Sequence, residues 1–110
     1  MNYEVRITRA AENDLNEAAD YIEFVLLNPQ TADDLLDTVE ETLPTLAQYA
    51  QCYALVDDPV LKAWGIRFVQ IKNYLAFYTG SEEEQKVSIV RLLYGKRNWI
   101  SILKNGFSME

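Results

Sequence analysis

The sequence predicts an α+β fold of the order β-α-α-β-β-β, with a short C-terminal helix after the last strand. Apolar residues recur at helical spacing twice in the first half, and β-type runs separated by turn residues fill residues 66–94. The 110 residues suffice for one domain, taken as 1–110. Because the helices are joined by a short connection, we expect a helix hairpin packed on one face of a small antiparallel sheet.

The first strand and the first helix follow from two different periods. Residues Tyr3 to Thr8 alternate apolar and polar side chains, which is typical of a half-buried strand, and Thr8 can cap the helix that follows. That helix is predicted over about residues 10–26. Its apolar stripe consists of Leu15, Ala18, Ala19, Ile22, Val25 and Leu26. The carboxylates lie mostly off this stripe and are expected to face solvent.

A second helix is predicted to begin at Asn28-Pro29, where Asn can cap and Pro suits the first helical position. Its stripe consists of Ala32, Leu35, Leu36, Val39, Leu43, Leu46 and Ala47. Pro44 should kink this helix or end its regular part. Residues 49–65 have no clear period, although Val60–Trp64 can form a helical turn. Asp57-Asp58-Pro59 is interpreted as a solvated turn in preference to a metal-binding carboxylate pair, because no third ligand is nearby.

Three strands are predicted next, over Ile66–Ile71, Tyr74–Tyr78 and Val87–Tyr94. Lys72-Asn73 should reverse the chain, with Asn73 taking the unusual turn dihedrals. The last strand is the longest apolar run and should lie at the centre of the sheet. On the middle strand, Tyr74, Ala76 and Tyr78 should face one side, and Leu75 and Phe77 the other. Asn98 can cap a final short helix that ends at Lys104-Asn105-Gly106.

Composition excludes several kinds of site. There is no histidine, so Ser-His, Cys-His and imidazole–metal sites are absent, and the single Cys52 is predicted to be a buried apolar residue. No Gly-rich nucleotide motif is present, and we predict neither a cofactor nor a metal. No window is apolar enough to cross a bilayer, and the N-terminus lacks a signal-peptide pattern. We therefore expect a cytoplasmic protein with no membrane partner.

The charge of −7 is divided unevenly along the chain. Residues 1–60 hold two basic and thirteen acidic side chains, whereas residues 61–110 hold eight basic and four acidic ones. Such asymmetry indicates that different faces contact different partners. The acidic half argues against indiscriminate nucleic-acid binding, since its field repels phosphate.

The candidate site residues lie on or beside the last strands. They are Arg67, Arg91, Lys96 and Arg97, with Tyr94 among the accompanying aromatic residues. Arg91 alternates with Ile89 and Leu93, so its guanidinium should point to a mostly apolar side and must find a partner there. Two interpretations stay open for Arg91: a salt bridge to an acid on a helix, or a phosphate clamp on an open sheet face. Lys96 and Arg97 beside Gly95 should be exposed.

These five residues could in principle cleave RNA. A lysine of lowered pKa would remove the proton from the 2′-hydroxyl, arginines would hold the phosphate, and a tyrosine or protonated lysine would supply the leaving proton. The same set could equally serve as a binding surface. Tyr74 and Tyr78 are interpreted as core or edge packing in preference to base-stacking platforms.

An ordered series of short segments along nearly the whole chain resembles the RelE/ParE family of bacterial toxin–antitoxin toxins. The segments are Val5-Arg6-Ile7-Thr8, Ala11, Asp14-Leu15, Tyr21-Ile22, Val56-Asp57-Asp58-Pro59, Gly65-Ile66-Arg67, Asn73-Tyr74, Phe77-Tyr78, Ile89-Val90-Arg91 and Tyr94-Gly95-Lys96-Arg97-Asn98-Trp99. Asn98 stands where an aspartate is usual, and either residue can cap the last helix.

The resemblance implies a toxin of a type II system that a cognate antitoxin neutralises, in a toxin–antitoxin hetero-oligomer, with a role in plasmid or chromosomal stability and growth control. RelE-like members cleave messenger RNA in the ribosome. ParE-like members inhibit DNA gyrase without nuclease chemistry. An inactive relative that serves as an interaction module is a third possibility.

The long helix hairpin resembles the ParE side of the family. On the RelE side, an arginine on the middle strand helps to hold the phosphate, and the matching position here is Leu75. A tyrosine in the terminal segment also takes part there, and this chain has none after Trp99. Arg97 matches the arginine that follows Gly-Lys, and Arg67 falls near the basic strand positions. The resemblance thus favours gyrase inhibition over ribonuclease activity.

Overall fold

The fold is a four-stranded sheet with helices packed on both of its faces. The computed structural model describes residues 3–49 and 53–105, with the side chain of Tyr49 left out. The strands are β1 (Glu4–Ile7), β2 (Arg67–Ile71), β3 (Tyr74–Ser81) and β4 (Lys86–Tyr94). Their order in the sheet is β1-β4-β3-β2. The predicted α+β class and element order are therefore confirmed, as is the central place of β4.

The sheet is mixed, which the prediction of an antiparallel sheet missed. β2, β3 and β4 pair antiparallel as expected, but β1 joins β4 in a parallel pair, with Val5 opposite Val87. Parallel strands need a long connection between them, and the helix hairpin is part of the chain that connects β1 to the other strands. This connection allows β1 to run in the same direction as β4.

The helices occupy the predicted regions, with irregular turns inside both arms of the hairpin. They are α1 (Arg9–Asp20), α2 (Pro29–Thr42), α3 (Leu46–Tyr49), α4 (Pro59–Ala63) and α5 (Trp99–Lys104). A π-helical turn, Tyr21–Val25, extends α1, and a 3₁₀ turn, Leu43–Thr45, separates α2 from α3. The second irregularity contains Pro44, so the predicted kink is confirmed.

Side-chain caps start α1, α2 and α5. Thr8 accepts from the N–H of Ala11, Asn28 from that of Thr31, and Asn98 from that of Ser101, as predicted. Thr8 is fully buried and also donates its hydroxyl proton to the carbonyl of Ile89 on β4 at 2.8 Å. This one side chain thus starts α1 and fastens it to the sheet.

Each face of the sheet has its own apolar core. The upper core lies between the sheet and the hairpin, and its members include Ala18, Leu35, Val39, Ala76, Tyr78, Ile89 and Leu92. The lower core lies on the other face, under α4 and α5, and consists of Val56, Leu61, Ile66, Phe77, Val90, Leu93 and Leu103. Since Ala76 and Tyr78 belong to the upper core and Phe77 to the lower one, the predicted alternation on β3 is confirmed.

A β-bulge interrupts the same alternation on β4. Phe77 pairs with Arg91 and Tyr78 with Ile89, so Val90 is the extra residue. As a result Ile89 packs in the upper core and Leu93 in the lower one. The prediction that Ile89, Arg91 and Leu93 share one side of the strand is therefore wrong, because it assumed an unbroken period of two.

The β2–β3 reversal and the turn after α4 each contain a residue in the left-handed conformation. In the β2–β3 reversal it is Lys72, with φ of 57°, that takes the left-handed conformation, and not Asn73. After α4, Gly65 has φ of 75°, which suits the residue that follows a helix C-cap. The N–H groups of Gly65 and Ile66 then donate to the carbonyls of Lys62 and Leu61, which ends the helix. Cys52 and Gly106, named above, lie outside the described residues.

Candidate functional site

Arg91 is held by a carboxylate of α1. Its Nε and Nη2 donate to Asp14 at 2.6 and 2.9 Å, and the backbone N–H of Leu92 donates to the same carboxylate at 3.0 Å. The hydrogen bonds to Asp14, helped by its charge and that of Glu17, raise the pKa of Arg91 against the opposing effect of desolvation. The salt-bridge interpretation is confirmed. A phosphate would have to compete with Asp14 for this guanidinium.

Arg67 is also engaged inside the protein. It lies on β2, an edge strand of the sheet, and shares its side of that strand with Val69 and Ile71 of the upper core. Its Nη1 donates to the carbonyl of Tyr53 at 2.6 Å, so the guanidinium fastens the preceding segment to the sheet edge. Because helices cover both faces of the sheet, the described residues leave no open sheet face on which Arg67 and Arg91 could clamp a phosphate together.

Lys96 and Arg97 are exposed, as predicted, on the turn that follows β4. This turn is held in place by backbone hydrogen bonds: Gly95 donates to the carbonyl of Asn73, and Arg97 to that of Tyr94, both at 2.9 Å. A Cβ at Gly95 would lie 3.3 Å from the Asn73 oxygen, which leaves a side chain little room. The turn therefore presents two cations from a fixed backbone.

A cleft of about 710 Å³ opens between the first arm of the hairpin and the ends of β3 and β4. It brings Tyr94 and Arg97 together with Asp14, whereas Arg67, Arg91 and Lys96 do not line it. The rings of Tyr74 and Tyr94 meet edge to face in the cleft, with centroids 5.6 Å apart. Desolvation raises the pKa of Tyr74, so this phenol is neutral at physiological pH. We call this feature the tyrosine cleft.

Two further aromatic residues of the candidate region serve the cores. Tyr78 is fully buried under the hairpin, so the packing interpretation is confirmed for this residue. Trp99, the first residue of α5, lies against Phe77 of the lower core, with ring centroids 5.2 Å apart. Neither ring is therefore an exposed platform on which a base could stack.

The Asp57-Asp58 pair forms a turn, but the interpretation of a solvated turn holds only for Asp57, since Asp58 is buried. Asp58 caps α4 by accepting from the N–H groups of Val60 and Leu61, and its other oxygen pairs with Lys104 of α5 at 3.1 Å. Asp57 is exposed. The Asp58 carboxylate therefore joins two short helices of the lower core and has no further oxygen to offer a metal.

This arrangement predicts a pH dependence of stability. Chiefly the hydrogen bond from the Leu61 N–H, and then Lys104, lower the pKa of Asp58 below its ordinary value of 3.8, against the effect of desolvation. A lowered carboxyl pKa contributes stability above the ordinary value that is lost as pH falls through the folded-state value. We expect Asp58→Asn to lower the free energy of unfolding in urea at neutral pH, and the difference from wild type to shrink below about pH 4. Asp57→Asn is the control, with little expected effect, and a pH-independent Asp58→Asn difference would contradict the argument.

The end of the hairpin carries an exposed apolar surface that was not predicted from the sequence. Tyr21, Phe24, Val25, Leu26 and Leu27, here called the apolar tip, are each more than half exposed, and Leu27 is 80% exposed. The prediction that Val25 and Leu26 continue the apolar stripe of the first helix is wrong, because both side chains are exposed. In the π-helical turn the N–H of Leu26 donates to the carbonyl of Tyr21, five residues back. The extra residue rotates the following side chains by roughly 100° off the stripe.

Comparisons with known proteins agree with this fold. The family model for the ParE toxin of the type II toxin–antitoxin system, parDE, matches residues 5–99. A chain of the chromosomal ParDE system from P. aeruginosa superimposes with a TM-score of 0.67 and 22% identity, over 84% of this chain and 95% of that one. A chain of the RelBE2 toxin–antitoxin complex from Mycobacterium tuberculosis gives a TM-score of 0.60 and 20% identity, over 86% and 99%. The search of curated proteins found no match.

The residues matched by the family model are those that form the hairpin and the sheet. The matched region begins in β1, includes the hairpin and all the strands, and ends at Trp99, the first residue of α5. Both solved structures share the fold over more than four fifths of this chain. Within residues 3–49 and 53–105, no helix is long and apolar enough to span a membrane. The chain belongs to the ParE toxin family of type II toxin–antitoxin systems.

Proposed function

We propose that this toxin inhibits growth by binding DNA gyrase, without nuclease chemistry, and that a cognate antitoxin neutralises it in a hetero-oligomer in the cytoplasm. The observation that carries the proposal is the dispersal of the five residues that RNA cleavage would require. A nuclease must bring a base, an acid and phosphate-binding groups to the same phosphodiester. Here Tyr94 and Arg97 share the tyrosine cleft, and the other three do not line it.

The partners of the arginines support the same conclusion. Arg91 forms a salt bridge with Asp14, and Arg67 donates a hydrogen bond to a backbone carbonyl. Both guanidinium groups therefore stabilise the fold. Lys96 and Arg97 are free to contact a target from the turn after β4, and a binding protein requires only that these cations be exposed. We therefore assign the contact with gyrase to this turn.

The charge of the hairpin also favours a protein target. Residues 9–42 hold ten acidic side chains and one basic side chain. The negative field of the hairpin opposes entry into the ribosome, where phosphates are dense. A protein surface, in contrast, can complement both the acidic hairpin and the basic turn. Antitoxin binding is proposed from the two structural neighbours, which come from a ParDE system and from the RelBE2 toxin–antitoxin complex.

The test measures both candidate activities on one protein preparation. Purified toxin is added to gyrase with relaxed plasmid, and separately to translating ribosomes with a defined messenger RNA. We expect loss of supercoiling and intact transcripts. Lys96→Ala with Arg97→Ala should weaken inhibition at least about tenfold, since both exposed cations are lost. Arg6→Ala, an exposed arginine on β1, is the matched control and should leave inhibition unchanged.

Three outcomes would overturn the proposal. Cleaved messenger RNA with unaffected gyrase would identify a RelE-like ribonuclease. A folded protein with neither activity would be an inactive relative that serves as an interaction module. Full gyrase inhibition by the Lys96 and Arg97 variant would show that the basic turn is not the contact.

A further inference from the structure

We propose that Lys72, on the β2–β3 reversal, joins Lys96 and Arg97 in one basic site, and that this site binds a carboxylate-rich segment of the target protein. The three residues are here called the basic end. The identity of the target as gyrase rests on the proposed function, whereas the chemistry of the segment and the part taken by Lys72 do not depend on it.

The two turns that carry the basic end leave the sheet side by side. The outermost pair of β3 and β4 is Tyr74 with Tyr94, and one turn comes just before this pair and the other just after it. The N–H of Gly95 donates to the carbonyl of Asn73 at 2.9 Å, which joins the two turns directly. Lys72 therefore lies at the same end of the sheet as the two cations that follow β4.

The cations of the basic end are available to a partner. All three are exposed, and none forms an ion pair within residues 3–49 and 53–105. Arg91 and Lys104, in contrast, pair with carboxylates of the protein itself. Like charges gathered at one end of a sheet repel one another, so electrostatics favours the binding of an anionic group there.

Lys72 also occupies a costly backbone conformation. Its φ of 57° lies in the left-handed region, where a residue with a Cβ is less stable than glycine. The turn does not use the ammonium group, since the hydrogen bond from the Gln70 Nε2 at 3.1 Å goes to the backbone carbonyl of Lys72. Residues held in such conformations concentrate at functional sites. The lysine side chain therefore serves the surface and not the turn.

The surroundings of Arg97 favour a protein segment over a nucleic acid. Arg97 lines the tyrosine cleft together with Asp14 and Glu17, so carboxylates of α1 border the basic end. A nucleic-acid strand carries a phosphate at every nucleotide, and its continuation along the cleft would meet these carboxylates and the rest of the acidic hairpin. A protein segment can place its own carboxylates at the three cations and carry no charge beyond them.

Fluorescence anisotropy measures the binding chemistry directly. The labelled probes are a short glutamate-rich peptide, the same peptide with glutamine in place of glutamate, and a single-stranded DNA of the same charge as the first peptide. We expect the glutamate peptide to bind the intact protein more tightly than either of the others at low salt, and to lose its advantage over the glutamine peptide at 1 M salt. Lys72→Gly should weaken its affinity about threefold, as expected for the loss of one exposed ion pair.

The same variant separates a contact with the target from a structural role, because stability and inhibition should change in opposite directions. Relief of the left-handed backbone at Lys72→Gly should raise the urea concentration at the midpoint of unfolding. Loss of the cation should weaken gyrase inhibition about threefold or more. Lys72→Arg keeps the charge and should inhibit gyrase within about twofold of wild type.

Two matched controls isolate the backbone and the charge. Gln85 also has φ of 57° but is uncharged and lies between β3 and β4, at the opposite end of the sheet, so Gln85→Gly controls for backbone relief. Lys62 is an exposed lysine on α4, so Lys62→Ala controls for the loss of one cation elsewhere. Neither variant should change peptide affinity or gyrase inhibition by more than about twofold.

The contrary results for the basic end differ from those for the proposed function. Undiminished glutamate-peptide binding or gyrase inhibition by Lys72→Gly would overturn the part given to Lys72 and leave gyrase as the target. Tighter binding of the DNA than of the glutamate peptide would overturn the acidic protein segment in favour of a nucleic acid. A wild-type protein that spares gyrase but binds the glutamate peptide through Lys72 would overturn the proposed function and support the basic end as a site for another acidic protein.

Discussion

Replacement of Phe77 by alanine is expected to lower the free energy of unfolding by about 3–5 kcal/mol, the largest effect of any substitution considered for this protein. Phe77 is fully buried at the centre of the lower core. Its ring packs between those of Phe68 and Trp99, with centroid distances of 6.3 and 5.2 Å. Truncation leaves a cavity and removes the aromatic contact through which α5 is held on β3. Urea unfolding followed by the combined fluorescence of Trp64 and Trp99 measures the loss.

Phe24→Ala is the matched control for this experiment. The same atoms are removed, but the Phe24 ring is 66% exposed at the apolar tip, so the expected change is within about 0.5 kcal/mol. Phe77→Leu, which keeps most of the volume, should cost less than about 1.5 kcal/mol. If Phe77→Ala were no more harmful than Phe24→Ala, the lower core would not be packed as described.

The second large effect is expected at Asp14, where alanine should cost about 2–4 kcal/mol. The substitution leaves the Arg91 guanidinium, whose side chain is only 21% exposed, without its carboxylate. It also leaves the N–H of Leu92 without an acceptor. Since Arg91 retains some contact with water, the cost falls somewhat below that of breaking a fully buried pair. Urea unfolding at neutral pH measures it.

Three variants separate charge from packing at this position. Asp14→Asn keeps an acceptor for Leu92 but loses the charge, so it should be less harmful than alanine. The double change Asp14→Leu with Arg91→Met removes both charges and should recover part of the loss. Asp20→Ala, at an exposed acid of the same helix, should change stability by less than about 0.5 kcal/mol. Equal losses at Asp14 and Asp20 would contradict the role given to the ion pair.

The local patterns of the sequence predicted most elements and failed where the structure departs from a regular period. The two apolar stripes, the caps at Thr8, Asn28 and Asn98, and the alternation on β3 are all encoded within a few residues of one another. The parallel pairing of β1 is not, since it depends on contacts more than eighty residues away. The π-helical turn and the β4 bulge each insert one extra residue into a regular element. A prediction that assumes an unbroken period therefore assigns the side chains after that residue to the wrong face.

In the candidate site, too, locally encoded features could be predicted and those that depend on distant contacts could not. The exposure of Lys96 and Arg97 follows from a turn that Gly95 indicates, so sequence sufficed for these two. The partner of Arg91 required the packing of α1 on β4. The apolar tip could have been suspected from Phe24-Val25-Leu26-Leu27, four apolar residues in a row just before Asn28-Pro29, because an amphipathic helix cannot bury all of them on one face.

The hydrogen bond from Thr8 to Ile89 has a consequence for synthesis of the toxin. The hairpin is synthesised well before the strand that receives β1 and anchors α1, because that strand begins only at Lys86. Contacts so distant in sequence form late, and until then the nascent hairpin has no sheet beneath its apolar stripes. A transcript cut short before Lys86 therefore yields a hairpin without the strand that fastens it, and such a fragment is expected to be harmless to the cell.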